Sequence, residues 1–200
     1  MIKVTSLTEA EIRAVGDAFA DFAYAKGEKG MLAYYRDHDA VRDYICDYVR
    51  GSIRAGRLYS TSDRHEAYIA FRHSAEKMPL GADWIILRSL IRHLGFKGTI
   101  NFVKRASASG QSYEGRLKKE KKPYVIVGMV AVTKPYQGQG YMRKVMDIAF
   151  DEGKRRNCPV ILETDAKLKR DKYVHLGMTC AAERKFDEGS YLYDLVKEPS

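Results

Sequence analysis

The apolar positions of this chain keep two rhythms, short runs that suit strands and longer stretches at helical spacing. Ile2 to Thr5 reads as a strand. Thr8-x-x-Glu11 is a capping-box pattern, and behind it Ile12, Val15, Phe19 and Phe22 fall on one helical face until Gly27 to Gly30 interrupts. A second helix is predicted with Val41, Tyr44, Ile45, Tyr48, Val49 and Ile53 on one face, closed by Gly56. Arg57–Thr61 and Glu66–Arg72 flank Ser62-Asp63-Arg64-His65 as the arms of a hairpin. Tyr124 to Val132 is almost continuously apolar, the pattern of a strand buried on both faces, and is expected at the centre of the sheet.

Met142, Val145, Met146, Ala149 and Phe150 then form one helical stripe. Pro159 to Thr164 is a short strand, and Thr179–Phe186 and Tyr191–Val196 are two more, joined by the turn Asp187-Glu188-Gly189. Within Ser74 to Lys122 the pattern predicts an amphipathic helix over Asp83–Leu94, ended by Gly95, and a flexible loop over Ser107–Gly115. The sum is an α/β fold of the α+β kind with a mixed sheet, in the order β-α-α-β-β-(helical insertion)-β-α-β-α-β-β.

Composition narrows this to one globular domain over residues 1–200, since 45% hydrophobic content suffices for a core. Cys46, Cys158 and Cys180 are odd in number and lack metal-ligand spacing, so free thiols, no metal and a cytoplasmic setting are expected. Neither a signal peptide nor a membrane span is apparent. The net charge of +9 is localised: the segment 74–122 carries eleven basic and four acidic residues. Such a helix suits a membrane, an acidic partner or nucleic acid, but a helix covering the sheet beside a solvated Lys/Arg loop needs no partner. No membrane or nucleic-acid partner is therefore expected. The insertion is expected to wall or lid a pocket, and an exposed strand or the insertion itself leaves a homodimer open.

The richest chemistry lies in Val130-Ala131-Val132-Thr133-Lys134-Pro135-Tyr136-Gln137-Gly138-Gln139-Gly140-Tyr141-Met142-Arg143, a strand running through a glycine-rich turn into a helix. Turn glycines admit a close backbone approach, and the first N–H groups of the helix have no intrahelical partner, which makes a cradle for a phosphate or pyrophosphate. Tyr141-Met142 where a P-loop needs Lys-Ser/Thr, and Arg143 where a dinucleotide fingerprint needs glycine, exclude those two classes.

Gln137-x-x-Gly140-x-Met142 resembles the coenzyme A signature of the GCN5-related N-acetyltransferases, Gln/Arg-x-x-Gly-x-Gly/Ala, with Met142 departing at the last position. Tyr173-Val174-His175-Leu176-Gly177-Met178 resembles the family's Tyr-x-x-Leu-Gly-Phe segment, with Met178 in place of the aromatic. The element order also agrees. The resemblance implies the acyl-CoA N-acyltransferase fold and direct transfer of an acetyl group from acetyl-CoA to a primary amine of a small acceptor.

On that resemblance Gln137, Gly138, Gln139, Gly140, Tyr141, Met142 and Arg143 hold the pyrophosphate. Val130, Ala131 and Val132 border the pantetheine arm by strand addition, Val130 and Val132 most directly. A main-chain N–H near Met129 or Val130 faces the developing oxyanion, with Gly128 permitting a bulge. Tyr173 occupies the position of the proton donor to the leaving thiolate, and Lys169 stands where relatives have an asparagine, within reach of cofactor phosphates. Glu163 is the leading candidate for the general base, followed by Glu66, His73, Asp83 and a water chain.

Phe22, Tyr24, Tyr34, Tyr35, Tyr44 and Tyr48 are expected around the acceptor, about half of them as ordinary core. The basic balance disfavours a polycationic acceptor. Two other readings stand beside this one: a catalytically silent acyl-CoA-binding or regulatory module, and a basic nucleic-acid-binding protein.

Overall fold

The structure, a computed structural model, describes residues 1–30, 33–77 and 81–199, apart from the side chains at 82, 83 and 86. Seven strands, β1 (Ile2–Lys3), β2 (Leu58–Ser60), β3 (Ala67–His73), β4 (Val125–Val132), β5 (Val160–Thr164), β6 (Thr179–Asp187) and β7 (Ser190–Lys197), form one sheet in the order β1-β2-β3-β4-β5-β7-β6. The β4–β5 pair is parallel and the others antiparallel, so the sheet is mixed and β4 is its middle strand, as its apolar run predicts.

Helices α1 (Glu9–Ala20) and α2 (His38–Arg54) cover one face of the sheet. Ile12, Val15, Ile45 and Val49 pack there on Leu58, Tyr68, Ala70, Met129 and Ala131. The other face is covered by α5 (Tyr141–Arg156) and α6 (Lys167–His175), whose Val145, Met146, Ala149, Tyr173 and Leu176 meet Ala67, Ile69, Val125, Val127 and Leu195. The capping box at α1 forms as read: the Glu11 amide donates to Thr8 Oγ1 at 3.3 Å and the Thr8 amide to Glu11 Oε2 at 2.8 Å. Such a cap stabilises a helix by about 1 kcal/mol.

β4 carries a discontinuity that alternation alone does not show. Val125 and Val127 pack on the α5 side whereas Met129 and Ala131, two and four residues on, pack on the α1/α2 side. A strand flips faces only by gaining one residue, and the extra one is Gly128: Met129 opposes Ala70, Val127 opposes Phe71, and Gly128 opposes nothing. The bulge anticipated at this glycine is present.

The insertion departs from its reading. The helix expected to stop at Gly95 only breaks there (φ 71°, ψ 163°) and resumes, giving α3 over Ala82–Ala108. The last three residues of the expected loop open α4 (Tyr113–Lys119), capped by Ser112 Oγ accepting from the Gly115 amide. The second half of α3 is held by contacts distant in sequence, with the Phe102 ring against Tyr34 and Phe186. No local periodicity reports those. Among the described residues no helix is long and apolar enough to cross a membrane.

Candidate active site

β4 and β5 run side by side only over Val125–Val127 and Val160–Leu162. Past those residues β4 stays with β3 and β5 with β7, so the two strands part and a cleft of about 1250 Å³ opens between them. Gly128 sits where they part. A Cβ there would lie 2.0 Å from Tyr48 Oη, so glycine alone lets strand and ring coexist. The Thr133 amide donates to the Glu66 carbonyl, and antiparallel alternation from that pair turns the main chain of Met129 and Ala131 toward β3 and that of Val130 and Val132 toward the cleft.

At one end the cleft meets the glycine-rich turn. A 3₁₀ turn over Lys134–Tyr136 leads into Gly138 (φ 76°) and Gly140 (φ 79°), the latter capping α5 in the left-handed conformation. A Cβ at either glycine would meet nothing within 4 Å, so the turn encloses open room beside the helix end. The Arg143 and Lys144 amides donate to the Gly140 carbonyl, while those from Gly138 to Met142 have no acceptor among the described residues. Free donors at a positive helix end, with space in front of them, fit a pyrophosphate.

Side chains fix this turn from outside. Gln137 Nε2 donates to the Val132 carbonyl at 3.1 Å and Gln139 Nε2 to the Pro135 carbonyl at 2.8 Å. Arg143 donates to the His175 carbonyl at 3.3 Å, tying α5 to the end of α6. Tyr141 stands edge-on to Tyr136 with Lys144 Nζ 4.4 Å from its ring centre, and Met142 packs against the α5 core. Gln137, Gly138, Gly140, Tyr141 and Met142 line the cleft; the Gln139 and Arg143 side chains lie outside its lining.

Both leading catalytic candidates share the cleft wall. Tyr173 on α6 is buried, and burial, with the Asp165 charge adding to it, pushes its phenol well above the usual value. The phenol therefore stays protonated through neutral pH. Glu163 on β5 reaches into the cleft with its side chain 44% accessible and ion-pairs with Arg184. Desolvation raises its carboxyl above the usual range, against the pull of the Arg184 guanidinium. Behind it Arg184 makes a two-point pair with Asp194, Nε to Oδ2 at 2.9 Å and Nη2 to Oδ1 at 3.2 Å, and donates to Ser109 Oγ at 2.7 Å. A fixed guanidinium thus positions Glu163 and opposes the rise that desolvation causes.

The remaining base candidates lie elsewhere. Glu66 is 1% accessible at the β2–β3 hairpin, where it accepts from Thr61 Oγ1 and Ser62 Oγ at 2.8 and 2.7 Å. His73, at the far end of β3, also lies outside the cleft lining, and the Asp83 side chain lies outside the described residues. Lys169 lines the cleft with its ammonium already engaged: Nζ lies 3.0 Å from Asp165 Oδ1 and 4.3 Å from the centre of the Phe22 ring, with Tyr24 and Phe19 further off.

Of the aromatics expected around an acceptor, Phe22, Tyr34, Tyr44 and Tyr48 line the cleft and Tyr35 is core. Phe102 from α3 joins them, with Phe186 and Tyr191 from the late strands. Phe102 shows that the insertion walls the pocket, as expected. The sequence reading missed Phe102, Asp165 and the Arg184–Asp194 pair. The last carries a usable signal: charged residues ten apart across a tight turn, each where an inward apolar residue belongs.

Residues 96–176 match the family described as Acetyltransferase (GNAT) family. The fold is similar to that of a histone acetyltransferase HPA2 and related acetyltransferase from Corynebacterium glutamicum (TM-score 0.57, 13% identity, 97% of this chain and 94% of that one). It is also similar to a polyamine N-acetyltransferase of Drosophila melanogaster (0.56, 8%, 93% and 96%) and to arylalkylamine N-acetyltransferase 2 of Aedes aegypti (0.55, 10%, 98% and 97%). At these identities the likeness is one of fold. Among curated proteins no sequence match is found. The resemblance read from the turn and the Tyr-x-x-Leu-Gly segment stands.

Proposed function

We propose that this chain, with the GNAT family match over residues 96–176 and the GNAT fold, is an N-acetyltransferase that moves an acetyl group from acetyl-CoA to the primary amine of a small acceptor. The observation that carries this reading is the parting of β4 from β5 at the Gly128 bulge, opening a cleft that runs onto free amides at the start of α5. When bound, acetyl-CoA supplies an acetyl group activated as a thioester. The amides from Gly138 to Met142 hold its pyrophosphate, with the Gln137 side chain pinning the turn, and Val130 and Val132 offer main-chain groups to the pantetheine arm, with Ala131 between them.

The chain's own residues then manage two protons. Glu163 takes one from the acceptor ammonium, and its raised pKa brings its basicity nearer to neutral pH, where a base works best. Tyr173 gives one to the departing thiolate, in the protonated form that its burial enforces. The Val130 amide, turned into the cleft beside the bulge, faces the oxygen on which charge develops. Lys169 lines the same cleft with its charge balanced by Asp165. The rings of Phe22, Tyr34, Phe102, Phe186 and Tyr191 suit the apolar body of a small amine. Three unpaired cysteines suit a reducing, cytoplasmic setting.

Release of free CoA thiol across a panel of primary amines tests the reading. Glu163→Gln should lower kcat by about 10²–10⁴-fold and remove the acidic limb of the pH profile, while Tyr173→Phe lowers kcat with CoA binding retained. CoA binding without thiol release for any amine would favour the silent-module reading instead.

A further inference from the structure

On both sides of its break at Gly95, helix α3 turns large apolar side chains outward. Its inner side is accounted for: Leu90 and Leu94 pack on Tyr35, Ala40 and Val41, Ser89 and Thr99 are buried, and Phe102 reaches the cleft. On a solvated helix the opposite side is polar. On α3 it presents Trp84, 64% accessible, and Phe96, 68% accessible, together with exposed Leu87, Ile100 and Val103. The exposed Arg88, Arg92, Lys97 and Lys104 lie between them, and the sequence from Trp84 to Tyr113 contains no Asp or Glu.

We infer that this face docks the protein on an anionic lipid surface. Large apolar side chains rimmed by lysine and arginine, with no acid among them, are the composition of a helix lying in the plane of a bilayer interface. The solvated-face reading of the insertion fails on the accessibility of Trp84 and Phe96. Charge decides against a second copy of this chain, because a two-fold contact would set the basic stripe against itself. Nucleic acid would satisfy the cations and stack on two rings, but it offers nothing to Leu87, Ile100 and Val103, which a bilayer buries. Arg105 takes no part, being paired with Asp187 of β6, and that pair fastens α3 to the sheet behind the docking face. Phe102 on the same helix lines the cleft, so docking would set the acceptor pocket close to the membrane.

Trp84 is the single tryptophan of the chain, so its emission reports the docking directly. With vesicles of phosphatidylglycerol and phosphatidylcholine at low salt it should shift to the blue, with phosphatidylcholine alone it should not, and salt should reverse the shift. Arg88→Gln/Arg92→Gln/Lys97→Gln/Lys104→Gln should weaken partitioning by roughly 10²–10³-fold, about fivefold per charge. Phe96→Ser/Ile100→Ser/Val103→Ser, which alters only exposed positions, should weaken it with the unfolding midpoint unchanged. An absent shift with anionic vesicles overturns the inference. So does a shift that grows with protein concentration in the absence of lipid, which marks self-association, or a response to DNA with none to vesicles.

Discussion

Replacing Arg184 by methionine would remove the guanidinium that pairs with Glu163 at the cleft wall. Its side chain is 7% accessible and that of Asp194 is 3%, so the variant strands a buried carboxylate. Among the described residues only the Tyr113 amide, 3.2 Å away, would still donate to it. Breaking such a pair from one side costs about 3–5 kcal/mol, and the remaining amide bond places this case near the lower figure. At about 2–4 °C per kcal/mol for a domain of this size, the unfolding midpoint should fall by roughly 6–12 °C. Arg184→Met/Asp194→Leu removes both charges, and should recover most of the loss because the desolvation cost disappears with them. Thermal unfolding by circular dichroism measures both. A single variant within about 1 kcal/mol of wild type, or a double variant no better than the single one, would refute the buried pair. In activity, loss of the guanidinium leaves Glu163 without its attractive partner, so the acidic limb of the rate profile moves to higher pH.

Two other perturbations probe the frame of the site. Gly128→Ala places a methyl group on Tyr48 Oη and should cost about 1–3 kcal/mol by overpacking, and Tyr48→Phe should relieve much of it, since the nearest ring atom lies 3.2 Å away; a double-mutant cycle in thermal unfolding that shows no coupling contradicts the contact. For Glu66, desolvation is outweighed by hydrogen bonds from Ser62, its own backbone amide and Thr61 and by the Arg64 charge, which lower its pKa from 4.5 to about 2. Its carboxylate therefore stabilises the fold above about pH 4.5, and that contribution is lost as pH falls toward 2. Glu66→Gln should flatten this limb of stability against pH, and an unchanged limb would show that the carboxylate is not so held.

The parts of this molecule that local pattern specifies were legible. The apolar run of β4 named the central strand, Thr8 and Glu11 named a cap that forms, and two glycines before an apolar stripe named a turn whose left-handed angles only glycine adopts cheaply. What stayed hidden depends on pairs far apart in sequence. Phe102 is an ordinary aromatic until the fold sets it against Tyr34 and Phe186. Glu66 and Glu163 both read as strand residues and candidate bases, and only the fold puts one at a hairpin and the other in the cleft. Lys169 read as a free cation beside phosphates, and the fold gives it Asp165 and a set of rings.

The central claim is that the cleft beside β4 takes a CoA thioester with its pyrophosphate at the start of α5. Thermal-shift titrations of the wild-type protein with acetyl-CoA, desulfo-CoA and NAD, repeated with Gly140→Glu, test it most directly. The account predicts a midpoint rise with both CoA ligands and none with NAD. At a hundredfold excess over Kd, about 2.7 kcal/mol of linkage amounts to roughly 5–11 °C, and Gly140→Glu should show no rise from its own lower baseline. A wild-type midpoint that no CoA ligand moves, or an equal rise in Gly140→Glu, would contradict it.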